Sequence, residues 1–581
     1  MQRNPVLFNP GIPVPAGSGA VVRERAWFRG FIAFTALFAA SLILSSLSGA
    51  LQSEFGRHQD EGMHYVTGLL VQDFATSGQW RSPMSFAQQY YLHFPKVALG
   101  QWPPGFSLLQ AAWGLLFGVS RVSMLVGMNV LTAWLAFLVY RAGARYFGAV
   151  WGALGALLLI AAPLTQESTA MVMAEVPLAA ASFLAIAAFV RFLESARTRD
   201  AVMFGLWSSA AIMIKGNGWV ICLAAPLILL CTGKFRLLLD KGLWIAALLI
   251  GVLCVPFTAF TMRIVAQGMD TRTFPGFAYE WASLGKHLGF VIGLLGIPFT
   301  IIAVIGASAS LFRRSSDLFW KSLTIYGLAI VIFHVAVPSS IEPRKLYQIV
   351  PVMCLLVLRG LQVLITRSLL ERPVVSQTAR LVAAGAVGLL FMLTGFLLLP
   401  RYTPGFGPAV ASLIGRAETP GAAVLISSNP ELADSEAALI AEWASRERNR
   451  GTYLIRATKL LSHPPTVADQ TDYVLNFSDR ASVLQALSSI PVSFVILDTA
   501  TARAVYPHHE LLRAALAGDS AEWERVYHTE RNLPGLRESH EIEIYRYRKN
   551  VAGASIHYSV DLTRKLGADV RPTTDDSRKT P

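Results

Sequence analysis

The sequence predicts a polytopic α-helical membrane protein of about eleven spans with an interfacial helix in the first outer loop, followed by an extracytoplasmic α/β domain. Three observations carry this reading. The 581 residues are 53% hydrophobic and only 15% charged, with a mean hydropathy of +0.47, too apolar for a soluble chain of this size. Up to about residue 400, apolar runs long enough to cross a bilayer are separated by short basic turns. Beyond that point, strand-length apolar runs alternate with polar helical stretches.

Residues 1–29, with Arg23, Arg25 and Arg29, form the expected cytoplasmic N-terminal segment. The apolar run that follows is too long for a signal peptide and lacks a small-residue cleavage site, so it stays as an anchor. The expected spans are 30–51, 122–140, 147–164, 175–193, 201–214, 218–232, 242–262, 288–311, 318–337, 347–366 and 381–400, two of them short. A further apolar run, 104–118, lies in the first outer loop, 52–121. If it crossed, the turn bearing Arg141 and Arg145 would face outside and every later basic cluster would fall out of phase. As a non-crossing interfacial helix it leaves all those clusters on the cytoplasmic side.

An odd number of crossings then places residues 401–550 outside, on the far side of what reads as a multi-pass inner-membrane protein. Val424-Leu425-Ile426, Tyr453-Leu454-Ile455, Tyr473-Val474-Leu475 and Phe494 to Leu497 read as strands, and Glu541 to Arg548 as an edge strand with one face in water. Placement alone suggests that this domain recognises an acceptor or partner. Residues 551–581 turn polar and are expected to be disordered.

The formal charge of +13 does not imply nucleic acid, because the Lys and Arg residues sit in short clusters between apolar runs, as topology determinants do. The four cysteines, Cys222, Cys231, Cys254 and Cys354, all fall inside apolar segments and behave as small hydrophobes. No disulfide framework follows.

Ionisable residues gather in the outer loops. Asp60 and Glu61 form an acidic pair beyond the first span, where they either complement the dipole of a helix over Met63 to Thr76 or act in chemistry. Glu175 stands at the outer lip of a span, and Lys215 lies between Ile214 and Gly216-Asn217-Gly218, where it either snorkels or meets a polar ligand. Glu342-Pro343-Arg344 puts positive charge in an outer loop, where topology disfavours it: Arg344 could hold a phosphate in forked hydrogen bonds with Glu342 orienting it, or the two could be a surface pair. Lys96 suits a phosphate or a lipid headgroup. His64, one turn beyond Asp60, could share its face, but a single His makes no metal site. Acids and bases on one face suit transfer from a phosphate-linked lipid donor, with cations neutralising the leaving phosphate and a carboxylate taking the proton of the attacking hydroxyl.

Asp60-Glu61, Trp102-Pro103-Pro104-Gly105-Phe106, Glu175 and Glu342-Pro343-Arg344, in that order, resemble the GT-C superfamily of membrane glycosyltransferases, in the branch of protein O-mannosyltransferases and bacterial aminoarabinose (lipid A) transferases. The resemblance spans residues 27–400 and departs at Trp102, often His or Lys in that group, and at Glu175, often Asp. It implies a polyprenyl-phosphate sugar donor, a lipid, glycan or protein acceptor, and inversion at the anomeric carbon. By the same resemblance Asp60 is the general base, Glu61 and Glu175 support hydroxyls, and Arg344 and Lys96, with Lys215, contact the donor phosphate. No metal is required, although Asp60, Glu61 and Glu175 could furnish oxygen ligands to Mg or Mn. The rival readings are a secondary transporter, against which stand the absence of a visible repeat and the crowding of charge on one face, and a non-catalytic membrane scaffold.

Overall fold

The computed structural model describes residues 18–98, 100–268, 277–312, 317–337, 341–368, 405–414, 422–428, 435–447, 451–463, 473–490, 492–500, 506–532, 539–549, 557–560 and 570–573. Long apolar runs become helices because a backbone in lipid must satisfy its own hydrogen bonds. Six described helices are long and apolar enough to cross a membrane: Trp27–Leu47 within α1 (Ser18–Leu47), α5 (Arg121–Phe147), α8 (Glu175–Ser195), Lys241–Arg263 within α11 (Lys241–Gly268), α14 (Leu318–Ala336) and the segment Pro343–Leu364, which runs into α15 (Val350–Ser368). With two bent pairs counted as single spans the number reaches eight. The protein is thus an integral multi-pass membrane protein.

The difference from the expected count has local causes. The expected span 147–164 is α6 (Ala149–Ala161) followed at 63° by α7 (Pro163–Thr169), because Pro163 cannot continue the helix before it. The expected span 288–311 is broken at Gly296, whose φ of 80° only glycine adopts without strain, so that α12 (Phe277–Leu295) and α13 (Ile297–Phe312) meet at 104°. The two short spans appear as α9 (Thr198–Ile214) and α10 (Val220–Thr232), both below crossing length. The span at 381–400 lies outside the described residues. The outer loop carries α2 (Gln59–Thr76), α3 (Pro83–His93) and the short apolar α4 (Gly105–Phe117), whose 13 residues cover only about 20 Å.

The C-terminal region is built on a five-stranded sheet in the order β2-β1-β5-β7-β6. β1 (Ala423–Ser428), β2 (Tyr453–Arg456) and β5 (Val492–Ala500) are parallel, while β7 (Ser539–Tyr547) and β6 (Trp523–Asn532) close the sheet antiparallel. The segment read as an edge strand, Glu541 to Arg548, therefore lies mostly on an interior strand. Its charged alternation faces arginines instead of open water: the buried Glu543 accepts from Arg513 and Arg525, each at 3.0 Å, while Ile542 and Ile544 pack into the core. The strand expected around Val474 exists as β4 (Val474–Leu475), but it pairs with β3 (Ser462–His463) outside the main sheet. In the tail expected to be disordered, β8 (His557–Val560) pairs antiparallel with β9 (Val570–Thr573); the rest of it lies outside the described residues.

Candidate active site

Helix ends bring the charged residues together. α8 begins at Glu175, and α9, packed back along it, ends at Ile214, which leaves Lys215 beside the start of α8. The chain leaves α14 at Ala336 and re-enters through a 3-10 turn, Pro343–Ile349, that carries Arg344. α2 opens with Asp60 and Glu61 in its first turn, and the backbone N–H of Asp60 donates to His58 Nδ1 at 3.1 Å. Carboxylates there suit the dipole.

Each nitrogen of the Arg344 guanidinium meets a different carboxylate. Nη2 lies 2.7 Å from Asp60 Oδ2, Nε donates to Glu342 Oε2 at 2.5 Å, and Nη1 lies 3.4 Å from Glu175 Oε1. Lys215 Nζ donates to the same Glu175 oxygen at 2.5 Å, and His58 Nε2 stands 3.6 Å from Glu342. The planar fork of arginine spreads donors in fixed directions over three nitrogens toward three acceptors, whereas an ammonium offers its donors from one point on a flexible stem. A cavity of about 160 Å³, lined in part by His58, Met171, Met173, Glu175, Glu342 and Arg344, opens beside this cluster. Asp60 borders it through Arg344. Burial pushes the Asp60 carboxyl up, but Arg344, His58, His64 and Lys215 together outweigh it, and the net direction is down.

Glu61 belongs to a different network. Fully buried, its Oε1 takes Arg121 Nη2 at 3.0 Å, and Arg121 also donates to the carbonyls of Ala50 at 2.9 Å, Ser53 at 2.6 Å and Ala170 at 3.1 Å. Burial pushes the Glu61 carboxyl up, with Arg121 opposing it. This pair ties the start of α2 to α5 and to the loop before α8.

Lys96 stands apart from Arg344 as well. It is buried beside Arg456 and Glu436 of the C-terminal region, and burial, reinforced by Arg456 and opposed by Glu436, holds its ammonium well below its ordinary range. His64 is buried with its ring stacked on Trp102 at 4.0 Å and edge-on to Phe106 at 5.1 Å, and burial pulls its pKa down to about 3. The Trp-Pro-Pro-Gly motif now has a physical basis. A Cβ on Gly105 would meet the Met213 carbonyl oxygen at 2.5 Å, so glycine lets the start of α4 seat on the end of α9, two residues before Lys215.

Of the expected site residues, Asp60, Glu175, Lys215, Glu342 and Arg344 therefore converge, whereas Glu61, His64 and Lys96 occupy neighbouring structural networks. Sequence reasoning missed His58 and Arg121. Arg121 carried a usable signal, because it is another positive charge at an outer helix end, the same exception that drew attention to Arg344. Among the described residues no three His, Cys, Asp or Glu side chains converge as a metal needs, and Asp60, Glu61 and Glu175 each engage a cation instead.

Charge thus gathers at one end of an apolar helical bundle, beside a long loop of short helices and a C-terminal sheet region, in an integral membrane protein. Residues 101–260 match the family described as dolichyl-phosphate-mannose-protein mannosyltransferase, a segment that contains Trp102, Glu175 and Lys215 but neither Asp60 nor Arg344. The fold is similar to that of ArnT from Cupriavidus metallidurans bound to undecaprenyl phosphate, with TM-score 0.53 and 16% identity over 93% of this chain and 99% of that one. Its apo state gives TM-score 0.54 at 16% identity, covering 88% and 97%. An Archaeoglobus fulgidus oligosaccharyltransferase in complex with Zn and sulfate gives TM-score 0.50 at 12% identity, covering 79% and 67%. Among curated proteins none matches the chain significantly by sequence. In fold, and in the matched segment of sequence, the chain resembles the protein mannosyltransferase and ArnT branch of the GT-C glycosyltransferases.

Proposed function

We propose that the protein is a glycosyltransferase that moves a sugar from a polyprenyl-phosphate donor to a hydroxyl of a lipid, glycan or protein, on the extracytoplasmic face of the inner membrane. The observation that carries this reading is the single guanidinium of Arg344, gripped by three carboxylates beside a cavity at one end of the bundle. Such a group is poised to exchange a carboxylate for a phosphate, which offers it the same forked acceptors. The complex of the structurally similar ArnT with undecaprenyl phosphate supports a lipid-linked phosphate as the ligand.

In this reading the donor reaches the cavity laterally from the bilayer, and its phosphate takes over Nη2 of Arg344, releasing Asp60. The acceptor oxygen attacks the anomeric carbon opposite the phosphate and passes its proton to Asp60. As the new glycosidic bond forms, the bond from carbon to phosphate oxygen breaks, and the electron pair leaves on a phosphate neutralised by Arg344. Attack from the opposite face inverts the anomeric carbon. Lys215 holds Glu175 in place and adds positive potential at the same rim.

Purified protein incubated with a radiolabelled polyprenyl-phosphate sugar and a membrane-lipid extract tests this. Label should leave the donor, and Asp60→Asn should slow that loss by about 10²- to 10⁴-fold. Label that stays on the donor in every condition would overturn the reading, and movement of intact donor across vesicles would favour transport.

A further inference from the structure

The helix that carries Asp60 is held from outside the membrane bundle. Helix α17 (Ser435–Arg446) of the C-terminal region lies flush along α2, with Ala437 and Glu442 buried in the contact. At Gly62, two residues beyond Asp60, a Cβ would meet the Ala437 carbonyl oxygen at 2.4 Å and its carbonyl carbon at 2.8 Å. The two backbones touch there. Four residues before α2, the N–H of Phe55 donates to Glu442 Oε1 at 2.8 Å, and Arg446 in turn grips the other oxygen of Glu442. Beyond α2, His93 Nδ1 stands 2.8 Å from the Thr452 carbonyl and its ring stacks on Tyr453 at 4.8 Å, while the buried Lys96 sits beside Glu436 in the first turn of α17. The contacts thus bracket Asp60 on both sides along the chain.

Placement of this kind is expensive to maintain without a purpose. Glycine weakens a helix relative to alanine, and Gly62 stands at the spot where α17 needs the room. Glu442 and Glu436 are buried acids, each held by an arginine, in surfaces that face the outer loop. Resting on the transferase reading above, we propose that the C-terminal region is a positioning part of the active site: through Ala437 and Glu442 it fixes the register of α2 and thereby the distance from Asp60 to Arg344.

Two variants of the full-length protein test this. Gly62→Ala adds a better helix former, so α2 itself is not weakened and any loss comes from the contact with α17. A displacement of about 1 Å at Asp60 is worth roughly a hundredfold in turnover, so kcat should fall by up to that factor while KM for the donor stays within about twofold. Glu442→Ala should act in the same direction, and Glu442→Gln, which keeps an acceptor oxygen for the Phe55 N–H, should recover most of the loss. As Asp60 drifts from Arg344 its carboxyl returns toward the ordinary range, so the acid limb of the rate profile should move to higher pH, a change that simple loss of folded protein does not produce.

Hydrogen exchange at residues 58–64 gives a readout that needs no reaction. It should rise in Gly62→Ala and in Glu442→Ala with the membrane helices still protected. If exchange in that segment matches the parent, the coupling is overturned whatever the protein catalyses. A parent that never transfers sugar overturns the functional reading alone, whereas a parent that transfers sugar and a Gly62→Ala variant with the same kcat and pH profile overturn the positioning role alone.

Discussion

Asp60 and Arg344 are 284 positions apart in sequence and 2.7 Å apart in space, the carboxylate of the first turn of α2 against the terminal nitrogen of a guanidinium at the mouth of α15. The pair joins the two halves of the expected chemistry, a base and a phosphate contact, and while paired neither is available. In the proposed transfer a phosphate that captured Arg344 would also unmask the base, so that donor binding and base activation would become one event.

Substitution separates the two roles. Asp60→Asn removes the proton acceptor and should lower kcat by about 10²- to 10⁴-fold, the span of general-base contributions. It also removes the competitor for Arg344, so binding of the bare polyprenyl phosphate should hold or tighten. Isothermal titration beside turnover measurements reads both. Loss of phosphate binding in step with turnover would show that Asp60 serves only to build the site.

The same pair sets a pH dependence of stability. The Asp60 carboxyl lies below its ordinary value in the folded protein, because the surrounding cations outweigh burial. The pair's contribution is therefore fully present above the unfolded carboxyl value of about 3.9 and drains as pH falls through the lower folded value. Thermal melts of the parent and of Asp60→Asn should differ by a constant gap above about pH 4 and converge as the pH falls below it. Parallel curves across that window would mean that the ion pair adds nothing to the fold.

Arg344→Lys tests why the cation is an arginine. An ammonium keeps the charge but gathers its donors on one nitrogen, so it cannot span Asp60, Glu175 and Glu342 as the three nitrogens of the fork do. Donor-phosphate binding should weaken by roughly ten- to a hundredfold, and the acid limb of the rate profile should move upward. Wild-type binding in the lysine variant would reduce Arg344 to a point charge.

The apolar runs made the membrane class legible, and outer-loop charge that broke the topology rule pointed to Arg344. Pairings across long separations were invisible. Nothing adjacent to Glu61 in sequence announces Arg121, and nothing near Lys96 announces Glu436, since both partners arrive through folding. Periodicity also hid the bends, because Pro163 and Gly296 sit within apolar stretches that satisfy any length criterion. The Glu541 to Arg548 alternation misled for a related reason: a charged face reads as water-facing unless the arginines opposite it are known.

Glu61 and Arg121 should behave as structure rather than chemistry. Removing one partner strands a buried charge, at a cost of about 3–5 kcal/mol, so Arg121→Met should lower the melting temperature sharply. The double variant Glu61→Leu with Arg121→Met removes both charges together and should recover much of that loss, as replaced buried pairs commonly do. Thermal unfolding in detergent measures it. Turnover per folded molecule should change far less than in Asp60→Asn, and a comparable collapse would return Glu61 to the reacting centre.

His64 offers the last separation of packing from catalysis. Its ring stacks on Trp102 and meets Phe106 edge-on, and with a pKa near 3 it is neutral at any pH at which the proposed enzyme would work. A group that does not titrate in that range cannot shape the rate profile, but its flat face keeps Trp102 and the start of α4 in register. His64→Phe preserves the stack and should keep kcat within a few-fold, with the profile unmoved between pH 5 and pH 8, a range well above that value. His64→Ala removes the stack, worth about 0.5–1.5 kcal/mol beyond the buried area, and should lower the melting temperature. If His64→Phe instead lost activity and shifted the profile, the imidazole nitrogen would belong to the chemistry.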